Sequence, residues 1–397
     1  MKLSETFPPT RLAAFERIQG VRPGDYARSR NALTGAVTGL SPYITHGLVS
    51  LPEVLAGVTQ RHALDAQHKL VFELGWREYF RHVWAHRGDE IFESLREGLL
   101  PDDGYAAVLP ADIRQACTGV PVIDMAVRTL YATGYVHNHA RMWLASYIVH
   151  IRKVKWRVAA DWLYGHLLDG DLASNHLSFQ WVAGTGSSKP YLFNADNVAR
   201  YAPENWHSPG SVIDQSYEAL DRFARQPMRS SHARHEARAV SADSVEPPLL
   251  TVPPPDLGWA LPQASAVSNR QVWLVHPWNL GELPASLPAE TVVVGVFLSD
   301  FHRLWPWSEK RWRFVASRMA ELVQLRWHGD AADTALALKG ALQVRSVDEP
   351  HLKAWLDNFA VCEEAPTLFP AVDKRCGSFS QWWTRASQGV ALASDFL

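Results

Sequence analysis

Residues 118–190 constrain the fold more than any other stretch of this chain. They read TGVPVIDMAVRTLYATGYVHNHARMWLASYIVHIRKVKWRVAADWLYGHLLDGDLASNHLSFQWVAGTGSSKP. Apolar residues recur every three or four positions across 121–133, 138–151 and 157–169, the period of a buried helix. The same segments carry Asn, Asp, His and Arg between Trp and Leu. A buried charge is costly unless it is paired or holds a ligand. These helices are therefore predicted to surround something large, planar and polar.

Residues 1 to about 205 read as nearly all helix, with a further periodic block at 65–85 and turn signals such as Arg87-Gly88-Asp89 and Pro101-Asp102-Asp103-Gly104. From about 225 to 270 the chain turns rich in Ser, Ala and Pro, with an extended run at Val252-Pro253-Pro254-Pro255. Beyond 271 it changes again. QVWLVHPW and TVVVGVFL read as buried parallel strands, SEKRWRFVASRMAELV as an amphipathic helix capped by Ser308, and LQVRSV and Thr367–Phe369 as short strands. The predicted organisation is multidomain: an all-α domain over 1–210, a linker over 211–270, and a small Rossmann-like α/β domain over 271–397. The last has no G-x-G-x-x-G signature, so nothing in it points to a dinucleotide.

Composition limits the function classes. With 47% hydrophobic and 20% charged residues, the chain reads as soluble and globular. A net charge of −2 means that any nucleic-acid site must be a local patch, for which Arg81, Arg152, Lys153, Lys155 and Lys189 are candidates. Cys117, Cys362 and Cys376 are too few and too scattered for a four-cysteine cluster, and read as reduced thiols of a cytoplasmic protein. The N-terminus lacks a signal-peptide core, and the apolar run 142–151 is too short for a bilayer, so no membrane partner is expected. The 17 Trp serve either packing or a redox relay and stacking surface.

Four constellations carry chemistry. Thr38-Gly39-Leu40-Ser41-Pro42 starts a helix, with Ser41 as N-cap and free amides that suit an anion; on spacing alone it is equally a capped helix. Glu73, Trp76, Arg77 and Phe80 share a helix face, whose plain reading is a salt-bridged core helix. Asn138, Arg141 and Met142 share another, natural for a ligand. His137 and His139 point in different directions there, so no metal site is expected. Asp169-Gly170-Asp171 turns into a helix bearing Asn175, where N-capping is the plain reading.

These four blocks, in this order and spacing over residues 20–205, closely resemble the flavin-binding core of the DNA photolyase/cryptochrome family. The resemblance implies FAD as cofactor. Tyr26, Thr38, Leu40 and Ser41 then match the loop that holds the FAD pyrophosphate, with Gly39 where the family usually has Arg. Arg77 resembles the flavin-side arginine. Arg141 and Asp169 resemble the ion pair beside the isoalloxazine. Asp171 resembles the partner of the ring imide, and Asn175 the residue that faces flavin N5. Glu73 matches the acid that hydrogen-bonds a pyrimidine dimer, and Trp76 and Trp181 the indoles that stack on it. Asn138 and Met142 stand where enzymes for (6-4) photoproducts carry histidines, so the pocket resembles the cyclobutane-dimer type. His139 replaces an arginine that commonly meets a DNA phosphate.

The resemblance also has departures. The family's photoreduction runs through three tryptophans. Trp156 matches the middle one, Phe179 stands at the flavin-proximal place, and no Trp stands near 103–105. The region 271–397 is similar to the family's antenna domain, which normally precedes the flavin domain; whether it binds a second chromophore is open. The function implied is light-driven, FAD-dependent repair of cyclobutane pyrimidine dimers in DNA. The alternatives are a cryptochrome-like blue-light signalling flavoprotein with a protein partner, and a dark redox flavoenzyme.

Overall fold

The structure, a computed structural model, describes residues 7–227 and 245–397. Its first part is built of helices: α1 Arg11–Gly20, α2 Pro23–Ser29, α3 Ser41–Thr45, α4 Leu51–Thr59, α5 Lys69–Arg87, α6 Ala111–Arg114, α7 Pro121–Thr133, α8 Asn138–Ser146, α9 Trp156–His166, α10 Leu172–Ala183, α11 Ala195–Tyr201 and α12 Tyr217–Ala224. Helix α5 starts where the Leu70 N–H is taken by His68 Nδ1 at 3.1 Å. It buries Leu70, Val71, Leu74, Tyr79, Val83 and Trp84. Each such side chain contributes about 1.5–3 kcal/mol relative to exposure. Glu73, Arg77 and Arg81, at four-residue steps, form a polar stripe on the same helix. Helix α4 is set by a full capping box between Ser50 and Glu53. Helix α7 stops at Gly134, whose φ of +70° favours glycine.

The second part carries a five-stranded parallel sheet of β2 Gln271–Val275, β3 Val292–Leu298, β5 Leu325–Gly329, β6 Gln343–Val347 and β7 Val361–Glu363. The order is β5-β3-β2-β6-β7, with β2 at the centre. Leu274 pairs with Val294, Phe297 with His328 and Trp273 with Arg345. All seven residues of β3 are buried, as a strand covered on both faces requires. Helices α13 Ser299–Leu304, α14 Glu309–Leu322, α15 Ala331–Leu338, α16 Lys353–Leu356 and α17 Phe379–Ala386 connect or follow the strands.

Three sequence expectations change here. Thr367–Phe369 is not a strand: the Glu78 carboxylate of α5 takes the N–H groups of Leu368 and Phe369 at 2.5 and 3.2 Å, leaving them unable to join a ladder. The stretch expected as linker holds helix α12, with Leu220 and Ala224 buried, and the strand β1 Leu249–Leu250, paired antiparallel with β4 Trp307–Ser308. Much of the Ser/Ala-rich run, 228–244, lies outside the described residues. Ser41 is the first residue of α3 rather than its cap; Leu40 precedes it with φ −91°.

One apolar core runs through both parts. Arg311, fully buried on α14, donates to Gly170 O at 2.5 Å and lies 4.0 Å over the Trp307 ring and 4.8 Å over that of Tyr164. The His46 ring bridges Leu168 O and Pro277 O at 2.8 and 2.7 Å. Helix α17 closes on α5 at Gly75, where a Cβ would lie 2.7 Å from Trp383 Cζ3. No helix among the described residues is long and apolar enough to cross a membrane.

Candidate functional site

The turn after α9, the start of α8, the start of α3 and the polar stripe of α5 meet at one place. Arg141 donates through Nη2 to both carboxylate oxygens of Asp169, at 2.8 and 2.9 Å, and through Nε to Val136 O at 2.7 Å. The Asp169 side chain is 2% exposed. Burial by itself would raise its carboxyl; the charge and hydrogen bonds of Arg141, with the Ser41 hydroxyl, outweigh that and hold it below the usual range. Ser41 thus serves Asp169 instead of capping α3.

Arg77 donates to Thr45 Oγ1 at 3.2 Å. Burial lowers its pKa, partly offset by the fields of Asp171 and Asp169. Among the described residues no carboxylate lies within ion-pair distance of it. Tyr135 completes the cluster, with the Arg141 guanidinium 5.3 Å over its ring and Phe7 at 5.1 Å on another side.

The phosphate-loop candidates lie alongside. Thr38 Oγ1 accepts the Leu40 N–H at 3.3 Å, and Leu40 is fully buried. Gly39 has φ +60°, and a Cβ there would stand 2.5 Å from Arg17 Nη1. The positive φ favours glycine here, and the tip of the Arg17 guanidinium occupies the space a Cβ would take.

Asp171 faces elsewhere. Its carboxylate caps α10, accepting the Ser174 N–H at 2.8 Å, and lies 3.4 Å from Arg81 Nη2. Arg81 Nη1 also reaches both oxygens of Glu349 at 3.2 and 3.3 Å. His351 accepts the Leu172 N–H on Nε2 at 3.2 Å, so its Nδ1 carries the proton donated to Glu349 at 2.5 Å. The result is an ion network joining α5, α10 and the loop after β6. Asn175 donates to Ala160 O at 2.8 Å, across to α9.

The remaining expected residues make separate contacts. Glu73 is 3.4 Å from Arg30 Nε, and burial pushes its carboxyl up. Burial and then Glu73 raise the Tyr26 phenol. Asn138 is exposed, with its amide 3.8 Å from Met142 Sδ. Trp181, 41% exposed, lies over Tyr191 at 5.4 Å. Trp76 stacks on Phe379 of α17 at 4.1 Å and 10°. Trp156 and Phe179 are buried in one apolar cluster, and Trp156 Nε1 donates to Ser94 Oγ at 2.9 Å.

One member of the predicted basic patch, Lys153, is corrected. Lys153, with φ +50°, is 1% exposed and donates to Phe223 O and Ala224 O, the end of α12, at 2.9 and 2.5 Å. Arg81 is engaged by Asp171 and Glu349, and Arg152 by Asp112 at 2.7 Å. Of the five, Lys155 and Lys189 keep exposed ammonium groups. Sequence reasoning missed Thr45, Tyr135, Arg30, Glu349 and His351. Spacing gives no signal for the last two, because Arg81 and Glu349 stand 268 positions apart.

Residues 70–242 match the FAD binding domain of DNA photolyase. The chain is 32% identical over 214 residues to a deoxyribodipyrimidine photo-lyase of Streptomyces griseus, covering 50% of this chain and 47% of that one. It is 34% identical over 224 residues to the deoxyribodipyrimidine photo-lyase of Thermus thermophilus, covering 50% and 51%. It is 30% identical over 223 residues to a cryptochrome DASH of Synechocystis, covering 50% and 45%. The chain thus spans about half the length of the curated relatives it matches.

Proposed function

We propose that this chain, whose residues 70–242 match the FAD binding domain of DNA photolyase, acts as a member of the photolyase/cryptochrome family and repairs cyclobutane pyrimidine dimers in DNA, driven by light. The observation that carries the cofactor's placement is Arg77. It is a half-buried guanidinium whose hydrogen-bond partner among the described residues is a threonine hydroxyl and which has no paired carboxylate among them. A cation left so lightly partnered fits an anionic or strongly dipolar guest. FAD, with its pyrophosphate and its electron-rich ring edge, fits that donor set. Arg77 and Arg141 would face the cofactor, Asp169 would keep Arg141 in place, and Thr38, Leu40 and Ser41 would line the phosphate end near Tyr26. Asp171 would act mainly through the start of α10, and Asn175 would present its amide oxygen to the flavin edge.

When bound and reduced, FAD supplies the light-driven electron; the protein supplies geometry and field. Burial raises the Glu73 carboxyl, the direction that favours its proton-bearing form, and Glu73 would hydrogen-bond a carbonyl of the flipped dimer. Trp181 keeps an exposed indole that would stack on a base, and Trp76, Asn138 and Met142 would complete the substrate side.

The alternative is blue-light signalling without repair. Two observations favour it: Phe379 covers a face of Trp76, and Lys153 of the expected basic patch is buried. The experiment is repair itself. Reduced protein under blue light is expected to convert a dimer-containing oligonucleotide back to undamaged thymines, and Trp181→Ala to slow this by about tenfold or more, in line with stacking of about 1–3 kcal/mol per base. Light-dependent flavin spectra with no loss of dimer would establish the alternative.

A further inference from the structure

Trp181 stands in the last turn of α10 with 41% of its surface exposed. An exposed indole needs something behind it if its ring is to keep one orientation. Among the described residues its aromatic neighbour is Tyr191, with 5.4 Å between ring centroids and 28° between planes. We propose that Tyr191 and His139 are positioning residues, which together hold the Trp181 indole in place for stacking on a flipped base. The proposal rests on the repair reading above.

Tyr191 is itself held at both ends. Its N–H donates to Val182 O of α10 at 3.0 Å, and its carbonyl accepts from Ser146 Oγ of α8 at 2.8 Å. The ring thus projects from a backbone pinned to two helices. At its far end the hydroxyl donates to His139 Nε2 at 3.3 Å. His139 Nδ1 donates to Asn31 O at 2.7 Å, which places the ring proton on Nδ1 and leaves Nε2 as the acceptor. Burial lowers the His139 imidazole and raises the Tyr191 phenol. Both shifts favour the forms this bond needs, a neutral ring and a protonated hydroxyl. Trp143 at 4.5 Å and Tyr201 at 4.9 Å pack on the imidazole and fix its plane.

The line of contacts continues past the histidine. Asn31 follows Arg30, whose Nε lies 3.4 Å from Glu73. His139 therefore ties the backbone beside the partner of Glu73 to the support of Trp181. On α8 it also stands in sequence between Asn138 and Met142. With a relative exposure of 9%, its role is inward, towards these partners. A stacking side chain that is already fixed loses no rotamer freedom when a base arrives, so the bond between Tyr191 and His139 contributes to affinity without either residue touching the substrate.

The test uses the full chain incubated with FAD and labelled with fluorotryptophan. The fluorine resonance that vanishes in Trp181→Phe reports this indole. It is expected to shift and broaden in Tyr191→Phe, which keeps the ring and loses the hydroxyl. The same is expected in His139→Asn, which keeps a donor for Asn31 and loses the acceptor for Tyr191. Affinity for a dimer-containing oligonucleotide should fall about fivefold in each variant, the size of one lost hydrogen bond. Flavin content and affinity for the undamaged oligonucleotide should stay at parent levels. In a Trp181→Ala background the same two changes should cost less than about twofold, because they act through the indole. A Trp181 resonance unmoved in both variants overturns the proposal, as does an equal loss of affinity with and without Trp181. If Trp181→Ala binds the dimer as the parent does while the resonance still moves, the repair reading falls and the positioning of the indole stands.

Discussion

Asp169→Ala is expected to lower the stability of the folded chain by about 3–5 kcal/mol and to abolish flavin retention, because removing one partner of a buried ion pair strands the other charge. The Asp169 side chain is 2% exposed and holds Arg141 by two short bonds. Without it, Arg141 keeps Val136 O as its one acceptor among the described residues, and the repulsion between Arg141 and Arg77 has less to offset it. Asp169→Asn keeps the shape but loses the charge and should fall between parent and alanine variant. Urea unfolding midpoints at pH 7, with flavin content measured on the same samples, check this. An alanine variant within about 0.5 kcal/mol of the parent, the range of an ordinary surface change, would remove the pair from the centre of the account.

The second large effect belongs to Arg81→Met. Arg81 is the shared cation of Asp171 and Glu349, whose side chains are 5% and 4% exposed. Burial by itself would raise Glu349; Arg81 and then His351 outweigh it and hold the carboxyl at about 2, below its ordinary 4.5. Asp171 is lowered likewise, with burial opposed chiefly by Arg81. Folded values below unfolded ones mean that these groups stabilise the parent above about pH 4.5, a contribution lost as pH falls through 2. In Arg81→Met the largest opposing charge is gone and burial dominates, so the folded carboxyls rise above their unfolded values. The sign then reverses: the variant loses stability as pH rises through the carboxylate range. A deficit of about 3–5 kcal/mol is expected at pH 7, shrinking towards pH 4. Urea midpoints from pH 3 to 8 for the two proteins measure it. A constant difference across that range would contradict the assignment of the network.

What was legible in the sequence follows from how local each feature is. Helices α5 and α7–α9 show their period because one face of each is apolar, and β2 and β3 show as β-branched runs because both faces of the sheet are covered. The Ser308 cap of α14 was readable for the same local reason, its Oγ taking the Arg311 N–H at 3.4 Å. Strand β5 was missed because Leu-Arg-Trp-His-Gly alternates too weakly at a sheet edge. The residues brought together around Arg141 and Asp169 were found through the resemblance, since spacing alone allowed caps and core salt bridges. The Arg81 network was invisible because its partners come from opposite ends of the chain. Lys153 misled for a different reason: a basic run reads as solvated, but a left-handed backbone turn points this lysine inward to cap α12.

The central claim is that the cluster of Arg77, Arg141 and Asp169 holds FAD. The direct measurement is the flavin released when the purified chain is denatured, after incubation with excess FAD and removal of the unbound excess. One FAD per chain is expected, falling to a small fraction in Arg77→Ala if that variant still unfolds cooperatively. A colourless parent protein that retains no flavin, or an Arg77→Ala variant that retains it in full, would contradict the account.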